Sequence, residues 1–135
     1  MKKITKKILA ALLATTMIFS MAACGGGKAE DDGLIKVGII NNDPAESGYR
    51  AANDRDLKEK FCEANGYQAS FAYSLKNDEQ ITAAQKFIQD GVDYLLLSAA
   101  DVSGWDSVLQ DAQDAGIQVI LFDRTIDADP SLYEA

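Results

Sequence analysis

Four short apolar runs punctuate the chain: residues 35–40 (IKVGII), 67–73 (YQASFAY), 92–98 (VDYLLLS) and 117–122 (IQVILF). Between them lie longer stretches whose apolar residues recur at helical spacing. Runs this short, rich in β-branched and aromatic side chains, read as strands. The first, third and fourth carry little polar alternation, which suits strands buried on both faces, whereas the second alternates. From Ser47, Tyr49, Ala52, Leu57, Phe61 and Ala64 mark one helical face and Asp54, Arg55, Lys58 and Glu59 the other, with Asn65-Gly66 as the stop. Asn77-x-x-Gln80 has the pattern of a capping box opening a second helix, with Ile81, Ala84 and Ile88 on one face and Gly91 closing it. Ser103-x-x-Asp106 suggests another cap, before a stripe of Trp105, Val108, Leu109 and Ala112 that ends at Gly116. The order β-α-β-α-β-α-β predicts an α/β fold: an open parallel sheet with helices on both faces and right-handed crossovers.

The leading end is of another kind. Lys2, Lys3, Lys6 and Lys7 precede an apolar stretch, residues 8–23, that ends in small side chains before Cys24. This is the layout of a secretory signal. It falls short of the roughly 20 apolar residues that span a bilayer, and Gly25-Gly26-Gly27 follows directly. Met21-Ala22-Ala23-Cys24 resembles the lipobox of bacterial lipoproteins, which implies cleavage before Cys24, a lipid on its thiol and membrane anchoring there. The expected organisation is a signal peptide at residues 1–23, a lipidated cysteine and flexible linker at 24–33, and a folded lobe at 34–135.

Charge and composition then exclude several functions. There are 13 Lys and Arg against 21 Asp and Glu in 135 residues, a net charge of -8, and four of the lysines sit in the leading segment. An acidic body of this kind repels phosphate backbones, so no nucleic-acid partner is expected. The absence of histidine excludes Ser-His-Asp and Cys-His catalysis, His-ligated zinc and a histidine pH switch within the chain. Two cysteines make no disulfide framework, and Cys62, beside Phe61 with no base to activate it, reads as a small half-buried residue. Neither Gly-x-Gly-x-x-Gly nor Gly-Lys-Ser/Thr follows a strand, so no nucleotide cofactor is expected, nor a metal.

In an open α/β sheet ligands bind beyond the carboxyl ends of the strands, where strand order reverses. After the first strand come Asn41, Asn42, Asp43, Glu46, Ser47 and Arg50; after the third, Ser98, Asp101 and Ser103; after the fourth, Asp123, Arg124 and Asp127. Paired carboxylates such as Asp43 and Asp123 suit acid/base work on a glycosidic bond, yet chance pairs are common among so many acidic residues. Sugar recognition asks for planar groups that grip two oxygens at once and an aromatic face for the apolar side of the ring. Asp123, Arg124, Arg50 and Glu46 meet the first need and Tyr49 the second. The alternatives are a surface ion pair for Asp123 and Arg124, and core packing for Tyr49 and Trp105.

Val37-Gly38-Ile39-Ile40, Glu46-Ser47-Gly48-Tyr49-Arg50-Ala51-Ala52, Gly91-Val92-Asp93, Ser103-Gly104-Trp105, Val108-Leu109 and Phe122-Asp123-Arg124-Thr125-Ile126-Asp127, with the lipobox and linker, resemble the sugar-binding periplasmic proteins of ABC transporters, especially members that bind galactofuranose. The resemblance implies that Glu46, Ser47, Gly48, Tyr49 and Arg50 are first-loop sugar contacts and that Asp123 and Arg124 grip ring hydroxyls. It further implies a monosaccharide ligand, galactofuranose or a related sugar, no cofactor, no enzymatic activity, and an ABC-transporter permease as partner for a lipid-anchored extracytoplasmic protein. A sensor lobe serving a chemoreceptor or kinase, or a secreted carbohydrate-active enzyme, are the rival expectations. Such proteins hold sugar between two lobes joined by hinge strands. A chain reaching only Ala135, just past the fourth strand, is expected to be a partial, truncated amino-terminal lobe that alone holds sugar weakly or not at all.

Overall fold

The alternation read from the sequence becomes a four-stranded parallel sheet in the computed structural model, which describes residues 32–135. The strands are β1 (Ile35–Asn41), β2 (Tyr67–Tyr73), β3 (Tyr94–Leu97) and β4 (Gln118–Leu121), arranged β2-β1-β3-β4. Ile39 pairs with Phe71 on one side and Leu96 on the other, and Leu96 pairs with Ile120. The helices are α1 (Gly48–Lys60), α2 (Asn77–Asp90) and α3 (Asp106–Asp114). The segment expected to be a signal peptide, Cys24 and nearly all of the expected linker fall outside the described residues.

Strand order fixes where a ligand can sit. The chain steps outward from β1 to β2, then returns past β1 to β3 and continues to β4, so the reversal lies between β1 and β3. Right-handed crossovers then require α1 on one face and α2 with α3 on the other, and the packing agrees. Ala84 and Phe87 of α2 and Val108, Leu109 and Ala112 of α3 bury against Ile40, Leu95, Leu97, Val119 and Leu121. Leu57 and Phe61 flank Val37, Ile39 and Leu96 on the opposite face. That second face is thinly covered: an apolar hollow of about 330 Å³ opens among Ile35, Val37, Phe61, Tyr67, Tyr94, Leu96 and Ile120.

Trp105 is fully buried and its indole N–H donates to the Asp101 carbonyl at 2.9 Å, as its place on an apolar stripe predicts. Three local expectations are corrected. The first helix ends at Lys60, before Asn65-Gly66, which instead closes a short 3-10 turn; Tyr49 and Ala64 stay exposed, and Arg50 is the buried residue of that helix. Asn77-x-x-Gln80 forms no capping box, because Lys76 occupies the cap, Asn77 Nδ2 donates to the Ser103 carbonyl and Gln80 turns inward. Ser103 does not cap the third helix either: its hydroxyl donates to Asp101, and Trp105 takes the cap position without a side-chain hydrogen bond. In all three places a tertiary contact outweighs a local one. The last residues lie along the outer edge of β4, where Glu134 bridges to Ile120 in parallel.

Candidate functional site

The loops after β1, β3 and β4 meet at the carboxyl edge of the sheet, centred on the Asp123 carboxylate. Arg50 is presented by the first turn of α1, which starts where it does because Ser47 caps it, accepting the Arg50 N–H at 3.2 Å. The Arg50 side chain is only 7% exposed, and its Nη1 lies 2.5 Å from Asp123 Oδ2. Ser98, fully buried at the end of β3, also donates its hydroxyl to Asp123 Oδ2, at 3.1 Å. The Tyr49 hydroxyl reaches the other oxygen, Oδ1, at 3.1 Å. Asp123 has a positive φ of 67°, and the Arg124 N–H donates to the Phe122 carbonyl at 2.7 Å, a tight three-residue turn. Aspartate tolerates that region better than most residues, but the turn is strained. The three donors hold the carboxylate at the tip of this turn.

These contacts set the electrostatics. Burial alone would push the Asp123 carboxyl upward, but the hydrogen bonds from Arg50, Ser98 and Tyr49 and the guanidinium charge outweigh it, holding the group below its usual range. The same hydrogen bond to Asp123 raises the Tyr49 phenol. At neutral pH the site therefore presents a carboxylate beside two guanidinium groups, all fixed acceptors and donors.

The residues singled out in the sequence take distinct places. Glu46 stands 3.5 Å from Arg50 Nε and backs the guanidinium from its far side. Gly48 is exposed, and a Cβ there would meet nothing within 4 Å, so the chain's own packing does not demand a glycine. Tyr49 is 57% exposed, with its ring 5.4 Å from the Arg50 guanidinium carbon, a cation-π contact that leaves the outer face of the ring open. Arg124 is not the close partner of Asp123: its Nε is 3.9 Å away, and its Nη1 donates to the Ala100 carbonyl at 3.4 Å. Asp123 and Arg124 both line an open cleft of about 350 Å³ with Ala99, Ala100, Asp101, Val102 and Thr125. Asp43 is occupied in capping its own 3-10 turn, accepting the Ala45 N–H at 2.8 Å.

Two buried amides, Asn42 of the first-strand loop and Gln80 of α2, support the rim from behind. Asn42 and Gln80 are each 1% exposed and both donate to Ser98. A buried amide on an otherwise amphipathic helix was the available signal for Gln80, masked by its fit to a capping pattern. A larger hollow of about 730 Å³ lies at the opposite, amino-terminal edge of the sheet, around Gly33, Leu34, Gly91, Val92 and Gly116. Asp93 there accepts the Lys36 N–H, a tie within the fold, and the topology places ligand chemistry at the other edge. Among the described residues no group of three or more His, Cys, Asp and Glu is arranged to hold a metal.

The comparisons with known proteins bear on this geometry. Residues 37–135 match the family model of the periplasmic binding protein domain. The chain belongs to the periplasmic binding protein family. It is a family of binding proteins and indicates no enzymatic activity. Among its members the chain is similar to the fructose import binding protein of Bifidobacterium longum, 37% identical over 127 residues, which are 90% of this chain and 38% of that protein. It is also similar to the galactofuranose-binding protein of Escherichia coli, 40% identical over 91 residues, 66% of this chain and 28% of the relative. A crystal structure from Mycobacterium smegmatis in complex with β-D-fucofuranose aligns at a TM-score of 0.69 with 39% identity, over 74% of this chain and 33% of that one. This periplasmic-binding-protein chain therefore spans well under half the length of these relatives.

Proposed function

We propose that the protein is an extracytoplasmic solute-binding protein that captures a monosaccharide in furanose form, galactofuranose or a close relative, and delivers it to the permease of an ABC transporter. The observation that carries this reading is the Asp123 carboxylate, fixed by Arg50, Ser98 and Tyr49 at the reversal point of the sheet. A carboxylate and nearby guanidinium groups bind vicinal hydroxyls through charge-assisted hydrogen bonds, and the open ring of Tyr49 offers a surface for the apolar face of a sugar. The relatives' ligands support the sugar class: the names and complex above specify fructose, galactofuranose and β-D-fucofuranose.

In this account Glu46, Ser47 and Gly48 shape the first loop, Tyr49 and Arg50 present the ring and the first guanidinium, and Asp123 with Arg124 take ring hydroxyls. The described residues supply one wall of the site, as an amino-terminal lobe does in a two-lobed protein, and a sugar held by both lobes favours the closed state by its differential affinity. The lipid on Cys24 and the linker at residues 24–33 keep the lobe beside its permease.

The test is a melting-temperature panel. The mature protein, expressed from Gly25 to the stop codon of its gene, is heated with galactofuranose, fructose, arabinose, ribose and galactose. A rise of several degrees with a furanose-forming sugar follows from linkage. A folded protein whose melting temperature no sugar moves contradicts the reading.

A further inference from the structure

Gln80 lies behind the rim, 1% exposed, out of reach of any ligand, yet it ties together two of the loops that build the site. Its Nε2 donates to the Ser74 carbonyl at 2.9 Å, after β2, and to the Ser98 carbonyl at 3.3 Å, at the end of β3. Its Oε1 accepts the Ala100 N–H at 2.8 Å. Both ends of the 98–100 segment are thereby fixed by one side chain. Asn42 adds a second hold, donating through Nδ2 to the Ser98 carbonyl at 3.3 Å and to its hydroxyl oxygen at 3.2 Å.

The polarity of these bonds leaves the Ser98 hydroxyl one direction. Asn42 Nδ2 and Arg50 Nη1, the latter at 3.4 Å, both act as donors toward Ser98 Oγ and occupy its two lone pairs. Its own proton then points to Asp123 Oδ2. At the other end of the segment, the Ala100 carbonyl accepts Arg124 Nη1. We infer that Gln80 is a positioning residue for ligand binding: by clamping residues 98–100 it aims the Ser98 hydroxyl at the Asp123 carboxylate and sets the carbonyl that orients Arg124. This rests on the sugar-binding reading of the rim and assigns that site a supporting residue on α2.

The test is a double-mutant cycle on the mature protein expressed from Gly25 to the stop codon of its gene, with affinity for the sugar that raises its melting temperature as the readout. Gln80→Met, similar in length but without hydrogen bonds, is expected to weaken binding by about ten-fold. Ser98→Ala is expected to weaken it by a similar factor, and the double variant to be little worse than the weaker single one, because both act on the same contact. Gln80→Met that lowers stability while binding the sugar as tightly as the wild type overturns the proposal, as does a double loss equal to the product of the single losses.

A second readout needs no sugar. The Asp123 carboxyl, faced by Arg50, Arg124 and Tyr49 with Glu46 behind Arg50, is followed by carbon NMR during an acid titration. In both Gln80→Met and Ser98→Ala it is expected to titrate at higher pH than in the wild type, as the hydroxyl donor is displaced or lost. An unmoved titration in Ser98→Ala overturns the relay even if Gln80→Met does not fold. Should the wild type bind no sugar while both titrations shift, the relay stands and the sugar-binding reading fails.

Discussion

Arg50 and Asp123 are 73 residues apart in sequence, yet Nη1 of the first lies 2.5 Å from Oδ2 of the second, with the arginine side chain only 7% exposed. A guanidinium so deeply buried requires a counter-charge, and the strained turn at Asp123 delivers it. The pair couples the first loop to the fourth and holds ready the two charges that the proposed function uses.

Removing one partner should therefore cost more than removing both. Asp123→Ala leaves the buried Arg50 with Glu46 at 3.5 Å as its remaining counter-charge, and unfolding free energy should fall by about 3 kcal/mol. Arg50→Met combined with Asp123→Leu should recover most of that loss. Urea unfolding of the single and double variants measures both, and strictly additive losses would show that the pair is not coupled.

Acid should act on the site only at low pH. The Asp123 carboxyl is held below its ordinary value of 3.8 in the folded state, so its contribution to stability is complete above that value and disappears as pH falls through the lower, folded one. With no histidine in the chain, sugar affinity should be level between about pH 5 and 8. Calorimetric titrations across that range check this, and a marked loss between pH 7 and 5 would point to a titrating group outside these residues.

The sheet is equally intolerant behind the site. A Cβ on Gly38, in β1, would stand 2.7 Å from both Cγ and Cδ2 of Phe87, a ring buried beneath α2. Gly38→Ala should destabilise the fold by about 1–3 kcal/mol, the range for overpacked cores, and Phe87→Leu in the same protein should relieve part of it. Thermal unfolding of the wild type and of these two variants decides, with no loss in Gly38→Ala as the contrary result.

Much of this was legible in the sequence because buried strands and amphipathic stripes are encoded locally. The four strands, the α2 and α3 faces and the buried Trp105 follow from periodicity, and the first-loop and Asp123-Arg124 motifs were visible as strings. What was not legible depends on contacts distant in sequence. Tyr49 departs from the apolar face expected of α1 by staying exposed, and Arg50 is buried there because a salt bridge to Asp123 draws it inward. Gln80 and Asn77 abandon a capping box for bonds to loops after β2 and β3. Asp123 pairs with Arg50 rather than its neighbour Arg124, since a tight turn points adjacent side chains apart. Local propensity places the elements, while the rim is set by partners that no window of sequence contains.

The proposed anchor has its own test. If Cys24 carries a lipid, the full chain expressed in a bacterial host incorporates labelled palmitate and partitions into the detergent phase. Cys24→Ser should be unlabelled and partition into the aqueous phase. An unlabelled wild type contradicts the anchor and leaves the folded lobe unaffected.

The central claim, that the Asp123 rim is a sugar site, is tested most directly by calorimetric titration of the mature protein and its Asp123→Asn variant with the sugar that raises the melting temperature. Loss of a charged acceptor should weaken binding by about 10- to 100-fold, while circular dichroism shows the same fold. An Asp123→Asn protein that remains folded and binds that sugar as tightly as the wild type contradicts the account.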